Sequence, residues 1–343
     1  MKKFGRLAKI SLILVYLVIA AGAVVRMTGS GMGCPDWPKC FGYYIPPTDA
    51  QTLQWQAQRT FEKGQVIIIN ESLKIAKSDF KTGLAYNETN WESYTKHDYA
   101  MFNVWHTWIE YINRLLGALA GLSTLLLAFF SLRFWRSGKR TVIFSWLVVL
   151  GMGFQAWLGA TVVHSVLEPF KITVHMIMAL VIVAMLLYVI ATVGPVKGEP
   201  LPKPTMAYLL VGALFLTLVQ VILGTQVRQF VDGQIDVMGE NTQNLWLQRP
   251  TVQFYIHRSF SILVLAINTY LWWTFRKHNF TMGMMNWVML LIFLEILTGM
   301  AMYYFDFPFS SQPLHLVLAS LLFGAQFYLA IQVLNSRRII KSS

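Results

Sequence analysis

A chain of 343 residues of which 55% are hydrophobic, 14% aromatic and only 13% charged is too apolar for an ordinary soluble domain and reads as a polytopic membrane protein. Its net charge of +12 would suit nucleic acid if the basic residues formed a patch. They lie instead in short clusters between apolar runs, as cytoplasmic loops do, and nucleic acid is excluded as a partner.

Apolar stretches long enough to cross a bilayer, which takes ~20 residues, fall near 8–26, 104–132, 141–164, 171–193, 207–228, 253–275, 284–304 and 312–335. The predicted fold is all-α, a polytopic membrane bundle of eight transmembrane helices. The first stretch follows Met1-Lys2-Lys3 like a signal peptide, but it is long enough to span and no small-residue cleavage site precedes the polar segment beyond it. It is expected to stay as the first helix.

The long loop at 27–103 comes next. Its middle, 46–96, is polar and without clear period, and is expected to be a surface loop or partly disordered. Asn70 and Asn87 there match the glycosylation triplet, a pattern that arises often by chance and is given no role. Lys2, Lys3, Arg6 and Lys9, then Arg133, Arg136, Lys139 and Arg140, Lys197 and Lys203, Arg276 and Lys277, and finally Arg337, Arg338 and Lys341 mark alternate loops and both ends. By the positive-inside rule both termini are cytoplasmic, in a multi-pass protein of the cell (inner) membrane surrounded by lipid. The long loop and the Lys- and Arg-free loop after Tyr303 then lie outside.

The spans repeat. Gly22 to Arg26 matches Gly224 to Arg228, Tyr111-Ile-Asn113-Arg114 matches Tyr255-Ile-His257-Arg258, Gln155 and Gly159 match Glu295 and Gly299, and His175 matches His315. Gly159 to His175 and Gly299 to His315 are both 16 positions. Two four-helix repeats in parallel orientation are expected, 1–193 carrying the long loop and 207–335 following it. This places Asn113, His175, His257 and His315 near the outer ends of their helices.

An ionisable group in a membrane span is a functional-site hypothesis by default. Two neutral imidazoles from separate helices, His257 and His315, are a common way to fill both faces of a haem iron, with Arg228 and Arg258 at the outer boundary suited to its anionic propionates. The plainer reading makes them interfacial histidines bonded to backbone or headgroups. In the first repeat His175 remains, but Asn113 stands where its partner should be, and an amide is a poor ligand for haem iron. That site would keep an open or differently filled axial position, which suits reaction. His106 shares the helix with Asn113, but a rise of ~10 Å over seven residues argues against direct replacement. Glu110 and Arg114 share a face with Asn113, where the carboxylate could relay protons or simply pair with the arginine. Cys34 and Cys40, on the outer side, could be bridged or free. His97 and His278 lie in polar segments and are expected to be solvated, and His164 has no counterpart in the other half.

Residues 22 to 40, Gly-Ala-Val-Val-Arg-Met-Thr-Gly-Ser-Gly-Met-Gly-Cys-Pro-Asp-Trp-Pro-Lys-Cys, together with Glu110-x-x-x-Arg114 and the later histidines, closely resemble the heme A synthase family. The resemblance covers nearly the whole chain except the middle of the first loop. It implies a membrane oxidoreductase that oxidises a methyl group of haem O to the formyl group of haem A for a terminal oxidase. Haem b is then the cofactor of the second repeat on His257 and His315. Haem O is the substrate in the first, near His175, Asn113, Arg26 and Arg114, with Glu110 needed for reaction. The resemblance further implies a Cys34–Cys40 disulfide with a redox role, and haem O synthase and terminal oxidase assembly proteins as partners. Asn113 departs from the histidine usual in the family. A haem-binding electron carrier that leaves haem unchanged, or a non-catalytic oxidase assembly factor, are the competing readings.

Overall fold

The computed structural model describes residues 1–194, 205–278 and 282–342. Lys197 and Lys203 lie outside the described residues, as do the side chains of Arg337, Arg338 and Lys341. Eight long helices lie over the eight apolar runs: α1 (Lys2–Met27), α2 (Val104–Ser131), α3 (Lys139–His164), α4 (Pro169–Val193), α5 (Thr205–Met238), α6 (Val252–Lys277), α7 (Met282–Tyr304) and α8 (Ser311–Ser342). Among the described residues, seven of them, all but α6, are long and apolar enough to cross a membrane. The protein is a mostly helical, multi-pass membrane protein. α6 matches the others in length, but His257, Arg258, Asn268 and Thr274 dilute its hydropathy. Asn268 is satisfied internally, donating to the Val264 oxygen at 2.8 Å and accepting from Gln326 Nε2 at 3.0 Å, so its polarity is kept from lipid. α5 runs ten residues past the expected end at 228, because an Arg228–Asp232 pair at 2.8 Å, one turn apart, carries the helix on after its apolar run stops.

The chain forms two compact units. The first comprises Met1–Tyr16, Leu122–Gly151 and Met176–Ser343. Within it α5 packs on α6 and α8, and α7 packs on α6 and α8, closing a ring of four helices around Met206, Leu210, Leu271, Phe275, Met285 and Leu322. Short polar ties join the earlier helices: Ser11 Oγ to Ser123 Oγ at 2.7 Å between α1 and α2, and Thr141 Oγ1 to Thr192 Oγ1 at 3.0 Å between α3 and α4.

The second unit comprises Leu17–Gly121 and Met152–His175. Here the expectation that 46–96 is a surface loop or partly disordered is corrected in favour of ordered strands. Residues 60–93 hold five short strands, β1 (Thr60–Phe61), β2 (Val66–Ile69), β3 (Ser72–Ala76), β4 (Phe80–Lys81) and β5 (Trp91–Ser93). They make an antiparallel β1-β4 pair and a β2-β3-β5 sheet. Asn70 and Glu71, both at positive φ, turn β2 into β3 as a two-residue hairpin loop. Both faces of the sheet are covered. Val66, Ile68, Leu73 and Ile75 pack toward the Cys34–Cys40 segment and Tyr111, while Ile67, Ile69, Ala76 and Trp91 pack on Phe61 and Phe80. Burial on two faces removes the polar alternation that would have marked a strand.

Candidate functional site

At the N-terminal end of α2 the sequence places Thr107, Glu110 and Arg114 on one face, and the 33–42 segment folds onto it. Cys34 and Cys40 are joined by a disulfide, with their Cα atoms 4.7 Å apart. Glu110 is 4% exposed. Its Oε2 accepts from the Cys34 backbone N–H at 2.8 Å and its Oε1 from Arg114 Nε at 3.1 Å and Nη2 at 2.5 Å. Arg114 Nη1 also donates to the Asp36 and Lys39 oxygens at 2.6 and 2.9 Å, and Nη2 to the Cys34 oxygen at 3.0 Å. A guanidinium has five N–H groups, and those contacts engage all five. The Glu110–Arg114 ion pair is therefore also a clamp on the disulfide loop.

The loop is built to receive that clamp. A Cβ on Gly33 would stand 2.3 Å from the His106 carbonyl oxygen, so only glycine lets the loop lie on α2, where Thr107 Oγ1 donates to the Gly33 oxygen at 2.8 Å. Asp36 closes the far side by accepting from the Phe41 and Gly42 N–H groups at 2.5 and 2.8 Å. Burial pushes the Asp36 carboxyl above the usual range, against the lowering effect of those N–H groups and of Arg114. Tyr94 OH and His97 Nε2 both meet the Pro35 oxygen at 2.8 Å, which corrects the expectation of a solvated His97. Burial, with Asp36 nearby, pushes the Tyr94 hydroxyl up to about 12. His278 is exposed as expected, His164 Nε2 meets Lys96 Nζ at 3.3 Å, and His106 is half-buried near the start of α2.

The four positions singled out by the repeat share one local arrangement, each facing a glycine of the preceding helix. A Cβ on Gly22 would lie 3.9 Å from Asn113 Oδ1. On Gly159 it would lie 3.5 Å from His175 Cε1, on Gly224 3.1 Å from His257 Cε1, and on Gly299 3.6 Å from His315 Cε1. The backbone oxygens of His175 and His257 accept from Gln155 Nε2 at 2.9 Å and Gln220 Nε2 at 3.0 Å. Each glutamine is four residues before its glycine, so one helix turn supplies both the gap for the ring and the hydrogen bond that holds its main chain. Among the described residues, Asn113 Oδ1 and the Nδ1 atoms of His175 and His257 are buried without a hydrogen-bond partner.

The His257 and His315 rings have centroids 6.4 Å apart and planes at 74°. Two metal–imidazole bonds of about 2 Å, each followed by half a ring width, separate the centroids by about 6 Å. The pair thus matches the spacing of two imidazoles on one iron, and the missing glycine Cβ atoms let each ring lie close against its neighbouring helix. His315 is also held from α7: its Nδ1 lies 2.8 Å from Thr298 Oγ1 and 3.3 Å from Glu295 Oε2. Glu295 enters the sequence pattern only as a repeat anchor, although an acidic residue in the middle of an apolar helix is itself a signal of a site.

The arginines divide. Arg228 pairs with Asp232, Arg258 lies over the Tyr303 ring at 5.7 Å, Arg114 is consumed by the loop, and Arg26 ends α1 half-buried.

A profile described as cytochrome oxidase assembly protein, COX15-CtaA, matches residues 5–327. A heme A synthase of Flavobacterium johnsoniae is 23% identical over 351 aligned positions, covering 92% of this chain and 93% of the relative. One of Flavobacterium psychrophilum is 23% identical with the same coverage of both, and one of Wolbachia pipientis wMel is 24% identical, covering 92% and 88%. With nearly its full length inside that profile, the chain belongs to the COX15-CtaA family of cytochrome oxidase assembly proteins.

Proposed function

We propose that the protein is a heme A synthase, a membrane oxidoreductase that converts a methyl group of haem O to the formyl group of haem A. The observation that carries this reading is an asymmetry between matched positions. In one half two imidazoles stand at the spacing of a single iron, and in the other one imidazole, His175, is matched by an amide, Asn113, on the helix that bears the buried Glu110.

In this reading His257 and His315 hold a resident haem b, which supplies one-electron redox chemistry when bound. Haem O is the substrate of the first half, where His175 would hold it. The Asn113 amide at the matched position, a poor ligand for haem iron, would not add a second protein ligand. Glu110 is the carboxylate that would hold or pass a proton during that oxidation. Its orientation is fixed by the Cys34 N–H and by Arg114, whose N–H groups are spent on Glu110 and the disulfide loop. Arg114 then serves the substrate through Glu110 and not by meeting a propionate. Arg26, Arg228 and Arg258 are the other arginines at these helix ends that would meet haem carboxylates. The two halves, 1–193 and 207–335, descend from one four-helix unit, a reading supported by the four glycine-backed positions. Both termini face the cytoplasm, and a haem O synthase and oxidase assembly proteins are the partners that such a substrate and product call for.

The test is to express the chain in a host supplied with haem O and to separate the extracted haems by chromatography and mass. Hydroxymethyl and formyl products that disappear in Glu110→Gln and His175→Ala are the expected result. Unmodified haem O from the wild type, with the second-half haem fully bound, would favour an electron carrier.

A further inference from the structure

His315 differs from His175 in that side chains of the neighbouring helix, Thr298 and Glu295, meet its ring nitrogen. Thr298 Oγ1 carries a single hydrogen. The Leu294 and Glu295 oxygens lie one turn back along α7 at 2.9 and 3.0 Å from that hydroxyl and can take its hydrogen. With the hydrogen turned there, Thr298 Oγ1 offers a lone pair to His315 Nδ1 at 2.8 Å, and Glu295 Oε2 stands 3.3 Å from the same nitrogen. In that arrangement Nδ1 carries the hydrogen and Nε2 is left bare. The matching positions of the first half are Gln155 and Leu158. Gln155 reaches the His175 main chain, Leu158 has no polar atom, and among the described residues His175 Nδ1 has no partner.

We propose that Thr298 and Glu295 are positioning residues that lock His315 in its Nδ1–H form and strengthen it as a permanent iron ligand, whereas His175 is left unlocked and so able to release haem as product. The inference rests on the reading in which His257 and His315 grip one haem. An acceptor on the far nitrogen makes a metal-bound imidazole a better donor and commonly changes metal retention by about 10–100-fold. The lock would thus hold the resident haem on a chain that must also let another go.

The experiment is a redox titration of the purified, haem-loaded full-length protein, with haem loss to an excess of apomyoglobin followed in parallel. Glu295→Leu and Thr298→Val are expected to favour the reduced haem about tenfold, a rise of about 59 mV for one electron, and to speed haem loss about tenfold or more. Thr298→Ser keeps the acceptor and is expected to match the wild type. Gln155→Leu is expected to leave the midpoint unchanged. Unaltered midpoint and haem loss in both Glu295→Leu and Thr298→Val, beside a normal bis-imidazole spectrum in the wild type, would overturn the lock alone. A wild type without that spectrum would overturn the underlying grip and the lock with it.

Discussion

Arg114 shows how a single side chain can join a buried carboxylate to a covalent staple. Removing it leaves Glu110 buried and unpaired and three loop carbonyls without a donor. Arg114→Leu is expected to cost about 3–5 kcal/mol, the usual range for breaking a buried pair from one side. The loss should appear as a lower denaturation temperature in detergent and faster reduction of the Cys34–Cys40 bond. Glu110→Gln keeps the shape and loses the base, so haem conversion should fall by about 10²-fold or more while the second-half haem spectrum stays unchanged. Tyr94 supplies a pH test. Its folded pKa, about 12, lies above the ordinary value of 10, so its stabilising contribution is complete below pH 10 and is lost as pH rises through about 12. Tyr94→Phe should cost about 1 kcal/mol at neutral pH and flatten the stability profile in that alkaline window, read by hydrogen exchange of the 33–42 amides. The residue types were visible in the sequence at Glu110, Arg114 and the cysteines. Their wiring was not, because the partners are main-chain atoms of a loop some 70 to 80 positions away, and main-chain atoms leave no mark on residue identity.

Helices explain what could be read and what could not. The eight runs were legible because a membrane span demands an unbroken apolar stretch. α5 overran its expected end since the outer turns of a helix need only local pairing, here Arg228 with Asp232. The β2-β3-β5 sheet was hidden for a different reason. Val66–Ile69 is a β-branched run ended by an Asn70-Glu71 turn, and this was the available strand signal, but two-sided burial erased the alternation that a surface strand displays. The glycine-to-ring contacts make a graded test at this scale. Gly224→Ala would set a Cβ 3.1 Å from the His257 ring, against 3.6 Å for Gly299→Ala at His315. The first should displace the ring and broaden the haem absorption bands of the purified protein. The second should leave them as they are.

On the scale of the whole molecule, the basic clusters set the expected orientation, with 27–103 outside. A cysteine introduced at exposed Leu84, in a variant with Cys34 and Cys40 replaced by serine, should react with a membrane-impermeant maleimide added to intact spheroplasts. Labelling only after lysis would reverse the topology. The matched spacing was legible because paired glycines and histidines recur at equal intervals, whereas the proposed difference between the halves rests on Asn113 opposite His257 and on the Glu295 and Thr298 contacts, which residue identity does not display. The most direct test of that difference is low-temperature electron paramagnetic resonance of the purified, oxidised, haem-loaded protein. The expected spectrum contains one low-spin bis-imidazole haem per chain, abolished by His257→Ala or His315→Ala and doubled by Asn113→His. Two such haems in the wild type, or none, would contradict the account.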